Sequence, residues 1–252
     1  EMLAGSERHT AAGFAAMQTD VVDPFARKVL PVLLAVPGVT GRAAEALGLL
    51  RGWDGKGVMD SPAPLIFNAW VTAFDIAVLH ANKLTRGLGA PVSDFVNEVL
   101  SPGGARWCGG DCAPLLRDSL NEAVGQLAAR FGDDPKAWRW GAAHRAVFAH
   151  PILRTLPLVG PYATISIPSP GDDDTVDRGG MDAALQSVHG ASFRGVYDLA
   201  NLDQSLFMMA PGQSGNLFSP HARDFIARWR DGATITLGPI APNITGTVHL
   251  TP

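Results

Sequence analysis

The chain has 252 residues, of which 46% are hydrophobic and 17% are charged, so it can bury a substantial core and is not disordered as a whole. Its length suits one large domain or two of ordinary size. A net charge of −4, together with the absence of any run of basic residues, argues against nucleic acid as a partner.

Two further features bear on membranes and on processing. No stretch approaches the roughly 20 apolar residues that a bilayer crossing requires, so we expect no membrane span. The chain begins with Glu1 and Met2, which is not the start of a translated protein. We therefore expect either that a leader has been removed or that the sequence is an internal piece of a longer protein.

Residues 1–150 predict a mainly helical region. Residues 61–80 are apolar nearly all round, which indicates a buried helix. The apolar stripe over residues 116–131 predicts an amphipathic helix that stops at Gly132. A further helical stripe is predicted from Trp140, His144, Val147 and Phe148, with its end at His150 and Pro151.

Residues 151–252 predict a strand-rich region. Four β-like runs are found at residues 162–167, 192–199, 206–210 and 234–237. Ser219 and Pro220 predict the start of one helix, which runs through Trp229. Helices followed by mainly antiparallel strands predict an α+β fold.

Acidic and histidine residues give no metal pattern. Asp172, Asp173 and Asp174 lack the spacing of a calcium loop, and three consecutive acids are typical of a solvated turn. The seven histidines do not cluster, and we expect His144 to be a packed residue with one hydrogen bond. The sequence therefore predicts no metal site, and no cofactor is expected.

Nucleophilic catalysis by this chain alone has weak support. The Gly-x-Ser-x-Gly turn that exposes a catalytic serine is incomplete at residues 190–194 and at residues 212–216. A catalytic triad that assembles only in the folded chain remains an alternative. Its members would be Ser192 or Ser214, His189 or His221, and Asp198 or Asp224.

The two cysteines, Cys108 and Cys112, lie in the spacing Cys-x-x-x-Cys. They predict a small structural disulfide, with two free thiols as the alternative. A disulfide here would indicate an oxidising compartment.

Five motifs follow one another along nearly the whole chain. They are residues 50–54 (Leu-Arg-Gly-Trp-Asp), 68–70 (Asn-Ala-Trp), 138–144 (Trp-Arg-Trp-Gly and His144), 189–198 (His-Gly-Ala-Ser-Phe-Arg and Asp198) and 212–229 (Gly-Gln-Ser-Gly-Asn, Ser-Pro-His, Asp224 and Trp229). In this order they resemble the penicillin amidase family of N-terminal-nucleophile (Ntn) hydrolases, which includes penicillin, cephalosporin and N-acyl-homoserine-lactone acylases.

The resemblance implies that the chain is the C-terminal part of a large (β) subunit, whose strands complete an αββα sandwich with a missing upstream chain. Family members are cut from a precursor autoproteolytically, and the new N-terminal serine is the nucleophile, with its own α-amino group as general base. Glu1 has no such hydroxyl. We therefore expect neither the nucleophile nor the oxyanion hole in this chain, which alone would be inactive.

The resemblance also implies supporting roles for three residues. Asp198 matches an acidic residue that, in cephalosporin acylases, orients a histidine beside the nucleophile, although here Asp stands in place of Glu. A simple strand-end aspartate remains the alternative. His189 and Arg194 are expected to support the same strand.

These observations predict part of a periplasmic or secreted acylase. Its substrate would be a small linear amide, either an N-acyl-homoserine lactone or a β-lactam antibiotic. The alternatives are a non-catalytic binding or scaffold domain and a self-contained serine hydrolase.

Overall fold

The computed structural model describes residues 8–85, 91–238 and 249, and the chain divides into two compact units. The larger unit is Asp20–Gly190, and the smaller unit joins Glu1–Thr19 to Ala191–Pro252. The predicted regions 1–150 and 151–252 separate the chain by type of secondary structure, whereas the two units separate it by packing.

Among the described residues, the α-helices are α1 (Ala11–Met17), α2 (Pro24–Leu34), α3 (Gly41–Leu50), α4 (Ala63–Ala81), α5 (Val92–Val99), α6 (Ala113–Phe131), α7 (Trp140–Ala143) and α8 (Ile226–Arg230). The strands are β1 (Arg145–Ala149), β2 (Thr164–Pro168), β3 (Gly179–Met181), β4 (Ser187–Gly190), β5 (Phe193–Val196), β6 (Leu206–Met209) and β7 (Ile235–Thr236).

The core of the larger unit is formed by buried side chains of α2 to α6, and α4 packs against α6 within it. The indole Nε1 of Trp70 on α4 donates a hydrogen bond of 2.8 Å to the carbonyl oxygen of Leu116 on α6. The side chains that α4 buries most completely are Leu65, Ile66, Phe67, Trp70, Phe74 and Val78. The predictions of a buried helix and of a helix end at Gly132, whose φ is +92°, are both confirmed.

Helix α4 is also long and apolar enough to cross a bilayer by length and composition. The expectation that no apolar stretch approaches this length is therefore wrong for its 19 residues. Most of the helix is buried within the protein, which is equally typical of a core helix in a helical unit.

The larger unit also contains a four-stranded sheet in the order β2-β1-β4-β3. Strands β1 and β2 are antiparallel, with Arg145 opposite Pro168, and β1 meets β4 in parallel through Ala146 and Ser187. The prediction of a continuing helix through Val147 is wrong, because the chain leaves α7 after Ala143 and becomes β1. Val147 instead pairs with Ser166 of β2, since a β-branched residue suits a pleated strand.

The smaller unit contains an antiparallel sheet in the order β5-β6-β7, with α8 packed beside β6. Each of the four predicted β runs overlaps a strand that is shorter than the run, and β2 extends one residue beyond its run, to Pro168. The single helix predicted from Ser219 to Trp229 is wrong in its continuity. Ser219 caps only a 3₁₀ turn. Arg223, with φ of −140°, departs from helical conformation, and α8 begins only at Ile226.

The α+β fold class is confirmed, with helices first and two mainly antiparallel sheets later in the chain. The sequence does not predict strands β3 and β4. They are short and rich in glycine and polar residues, so they lack the apolar alternation by which strands are predicted.

Candidate functional site

Arg194 lies on β5, and its guanidinium is buried against α8. Only 5% of the residue is exposed, and Nη1 donates a hydrogen bond of 2.6 Å to the carbonyl oxygen of Trp229. The guanidinium carbon also lies 5.1 Å from the centroid of the Trp229 ring, within the range of a cation–π interaction. The Trp229 indole in turn donates to the carbonyl of Ala191. Arg194 therefore joins α8 to the strand that carries it.

Asp198 follows the end of β5, where its carboxylate organises a turn. Oδ1 accepts hydrogen bonds from the N–H groups of Ala200 at 3.0 Å and of Asn201 at 3.3 Å. The N–H of Asp198 donates to the hydroxyl of Ser205. These bonds are typical of an aspartate at a strand end, and the histidine-orienting role stays a prediction.

His189 is an exposed residue of β4, where its backbone pairs with Gly180 of β3. It belongs to the larger unit, whereas Arg194 and Asp198 belong to the smaller one. The structure therefore does not unite these three residues in one compact unit.

The loop that carries Ser214 brings together three of the residues considered above for a Ser-His-Asp triad, namely Ser214, His221 and Asp224. His221 Nδ1 lies 3.1 Å from Asp224 Oδ2 at an exposed position. The Ser214 hydroxyl, however, accepts a hydrogen bond from the N–H of Asn216, and the Ser214 N–H donates to the carbonyl oxygen of His221. These contacts describe a folded turn, and no hydrogen bond joins a serine hydroxyl to a histidine ring among the described residues.

Cys108 and Cys112 form the predicted disulfide. It closes the short loop before α6, in which Gly109 and Gly110 have φ of +73° and +108°. Positive φ is accessible to glycine without the cost that a Cβ would impose. The disulfide prediction is confirmed, and the alternative of free thiols is wrong.

His144 is fully buried, and its ring stacks on Trp140 with centroids 4.3 Å apart. Its Nδ1 lies 3.0 Å from the carbonyl oxygen of Leu185, so Nδ1 carries the proton in this contact. Burial lowers the pKa of His144 to about 4, against the Leu185 bond and the Asp182 charge, which raise it. The prediction of a packed histidine with one hydrogen bond is confirmed.

The acidic run at residues 172–174 differs from its prediction as a solvated turn. Asp172 is buried, because Trp140, Thr175 and Gly179 bond to the loop backbone around it. Burial, and after it the charge of Asp23, raises the pKa of Asp172 to about 8. Within the described ranges, no group of three His, Cys, Asp or Glu residues has the geometry of a metal site.

The sequence does not identify Asp23 as a buried carboxyl. Asp23 caps α2 by accepting a hydrogen bond of 2.9 Å from the N–H of Ala26, and burial raises its pKa to about 7. The dipeptide of Asp23 and Pro24 is a recognisable helix start. No local pattern, however, indicates that a distant carboxyl is buried beside it.

Comparison with known proteins extends these observations. A protein-family model described as penicillin amidase matches residues 1–242. The penicillin acylase 2 proenzyme of Pseudomonas sp. (strain SE83) is 29% identical over 252 residues, which cover 94% of this chain and 32% of that protein. The acyl-homoserine lactone acylase QuiP of Pseudomonas syringae pv. tomato is 24% identical, with coverage of 93% and 33% respectively. The chain thus spans about a third of the length of these curated relatives.

Among solved structures, a thermostable penicillin G acylase from Alcaligenes faecalis matches 92% of this chain and 48% of its own chain. The TM-score is 0.51 and the sequence identity is 15%. At this identity the match establishes a likeness of fold alone.

Proposed function

This chain belongs to the penicillin amidase family, and from that premise we propose that it is part of an acylase that hydrolyses a linear amide bond. The family match over residues 1–242 is the observation that carries the proposal. The substrate is an N-acyl-homoserine lactone or a β-lactam, the two classes that appear in the names of its relatives.

The nucleophile in this proposal is an N-terminal serine on a second polypeptide of the same precursor. Its α-amino group, whose ordinary pKa is near 8, accepts the hydroxyl proton as the oxygen attacks the amide carbon. The curated relatives are about three times as long as this chain, which leaves room for such a polypeptide. The structural bonds of Ser214 described above support a nucleophile elsewhere.

An uncovered apolar face in the smaller unit supports a partner polypeptide. Phe193 on β5 and Tyr197 directly after it are 53% and 60% exposed, whereas Arg194 and Val196, which alternate with them along the chain, are buried. Contiguous apolar side chains on one face of a sheet are typical of a surface that packs against another chain. In this proposal that chain is the remainder of the acylase.

The Cys108–Cys112 disulfide supports a periplasmic or secreted location for the proposed acylase, since structural disulfides persist in oxidising compartments.

The first test is intact-mass analysis and N-terminal sequencing of every chain in the purified protein, followed by assays with N-acyl-homoserine lactones and a penicillin. We expect a co-purifying chain that begins with serine, and release of the free acid from one substrate class. Ser192→Ala and Ser214→Ala should both retain full activity.

Two outcomes would contradict this proposal. A stable, monodisperse single chain without hydrolytic activity would favour a scaffold domain. Loss of activity in Ser214→Ala, with the fold intact, would favour a self-contained serine hydrolase.

Asp198→Asn tests the positioning role in the active protein. Asn accepts the same bonds from Ala200 and Asn201 through its side-chain oxygen, so the turn is retained while the charge is lost. If Asp198 orients a histidine, kcat should fall at least tenfold at nearly unchanged KM, with an altered pH profile. An unchanged kcat and pH profile would leave Asp198 as a turn residue only.

A further inference from the structure

Two carboxyl groups far apart in sequence are buried in the larger unit. Asp23 and Asp172 are each only 1% exposed. Asp23 Oδ1 accepts the N–H of Ala26, and Asp172 Oδ1 accepts the N–H of Asp174 at 3.1 Å. The second oxygen of Asp172, Oδ2, is buried and makes no hydrogen bond of standard length among the described residues, and the side chain of Asn68 on α4 is near enough to lower the pKa of this carboxyl.

Hydrogen bonds join the backbone segments that carry these carboxyls, and the charge of Asp23 raises the pKa of Asp172. The N–H of Gly57 donates to the carbonyl of Val21, and the N–H of Gly171 donates to the carbonyl of Gly57, both at 2.8 Å. The N–H of Asp23 donates to the carbonyl of Gly55 at 2.8 Å. The start of α2 and the loop at residues 169–178 therefore meet across one short connecting segment.

The charges around the pair are mainly negative. Asp174 acts on both carboxyls and is bonded to the hydroxyl of Ser93 on α5 at 2.8 Å. The charged groups that act on Asp174 are Asp94, Asp173 and Arg178. Those on the loop itself and on the adjoining segments are Asp20, Arg27, Asp54, Lys56 and the buried Asp177. Arg178 pairs with Asp173, Arg27 bonds to the carbonyl of Asp54, and Lys56 pairs with the Asp54 carboxylate. Among the described residues no Lys or Arg forms an ion pair with Asp23 or Asp172.

Two buried carboxylates without a basic partner cannot both stay ionised without compensation, because burial disfavours the charged form and the charge of Asp23 adds to this effect at Asp172. Either a metal ion or a proton supplies that compensation. A metal is disfavoured, since the described residues provide no three-ligand group. Burial raises the pKa of Asp23 to about 7, and burial together with the Asp23 charge raises that of Asp172 to about 8.

We propose that the buried carboxyls of Asp23 and Asp172 together retain at least one proton at neutral pH, and that this protonation holds the loop at residues 169–178 against the start of α2. In this proposal the proton lies on Oδ2 of Asp172, the buried oxygen that makes no hydrogen bond of standard length. This device is independent of the acylase proposal, because it requires only the residues of the larger unit.

The proton makes opening of the loop dependent on pH. In the closed loop the pair keeps its proton up to pH 7–8, whereas carboxyls exposed by opening titrate near 3.8. Opening therefore releases protons and becomes more favourable as pH rises from about 4 through 8. For each proton released, the opening constant rises about tenfold per pH unit.

Hydrogen–deuterium exchange on the purified protein, with all co-purifying chains retained, tests this dependence. The amides of Asp177 and Gly179 report opening, because they donate to the carbonyls of Asp20 and Asp172. After correction for intrinsic exchange chemistry, we expect their protection factors to fall at least tenfold per pH unit between pH 5 and 7 and to level off above pH 8.

Asp172→Asn should weaken this dependence, because the amide does not titrate and one of the two buried carboxyls is removed. Asp23→Asn is the second variant, since asparagine retains the helix cap, and it should also weaken the dependence. Asp60→Asn, at an exposed carboxyl of the same unit, is the matched control and should keep the wild-type slope.

Three results would overturn the proposal. They are protection that is independent of pH in the wild type, an unchanged slope in both Asp172→Asn and Asp23→Asn, and restoration of wild-type protection at pH 8 by added Ca²⁺, which would assign the compensation to a metal. If Asp172→Asn does not fold, Asp23→Asn decides between the outcomes.

Discussion

Acid should destabilise the larger unit through His144. The imidazole is fully buried against Trp140, and its one hydrogen bond, to Leu185, is satisfied by the neutral ring. Protonation would place a charge at Nε2, which is buried without a hydrogen-bond partner among the described residues. A buried cation without a partner is unfavourable, so the native state retains the neutral form.

The sign and size of the effect follow from the pKa of His144. Burial lowers that pKa from 6.5 to about 4 in the folded protein, so below pH 6.5 the unfolded chain binds more protons than the native state. The stabilisation is complete above pH 6.5 and is lost as pH falls through 4. The difference corresponds to about 3 kcal/mol at full extent, and to about 2–3 kcal/mol between pH 7 and 4.5.

Urea unfolding of the wild type and of His144→Asn, at pH 7 and at pH 4.5, measures this contribution. The asparagine amide can still donate to the carbonyl of Leu185, although the stacking on Trp140 is lost. We expect the variant to be less stable at pH 7 but to lose about 2–3 kcal/mol less than the wild type on acidification. The Asp23–Asp172 pair acts in the opposite direction, and it is present in both proteins, so it cancels in the comparison.

His80→Asn, at an exposed position near the end of α4, is the matched control and should follow the wild type at both pH values. Equal losses of unfolding free energy in the wild type and in His144→Asn would refute the reasoning. Such a result would mean that the buried ring accommodates its charge.

Two further predictions concern the loops before α6 and after β6. Replacing Cys108 and Cys112 by serine should lower the unfolding free energy by about 2 kcal/mol, because the disulfide closes a short loop; a urea titration measures this, and a loss above about 4 kcal/mol would contradict the loop-closure argument. Gly212→Ala should cost about 1–3 kcal/mol, because a Cβ there would overlap the carbonyl oxygen of His221. Gly215→Ala is its control, with open space around the Cβ, and equal thermal unfolding midpoints for the two variants would contradict the overlap.

Long, strongly periodic helices were predictable from the sequence, because their apolar side chains repeat over several turns. The pattern leading to α4 and α6 extends over 19 residues in each, so neighbouring turns support the same assignment. Short elements lack that support. Trp140, His144 and Val147 fit a helical spacing, yet the chain becomes β1 after α7 because pairing with β2 outweighs local preference.

The burial of the acidic run was not predictable for a different reason. Three consecutive aspartates favour solvent on their own composition. Asp172 is buried because the indole of Trp140 donates to the carbonyl of Gly171 and the hydroxyl of Thr175 accepts from the Asp172 N–H. These are tertiary contacts between a loop and elements distant in sequence. Only the assembled fold brings Asp23 to the same place.

Many residues of the motifs that identify the family have a structural role in packing the fold. Trp70, Trp138, Trp140 and Trp229, which lie in three of the five motifs, each donate an indole N–H to a main-chain carbonyl. Such a bond satisfies a buried polar group while a large ring fills the core, so these residue types at these positions indicate how the chain packs. Family and fold were therefore accessible from the motifs. The reacting groups were not, because a nucleophile contributes no comparable packing pattern, and we place it on another polypeptide.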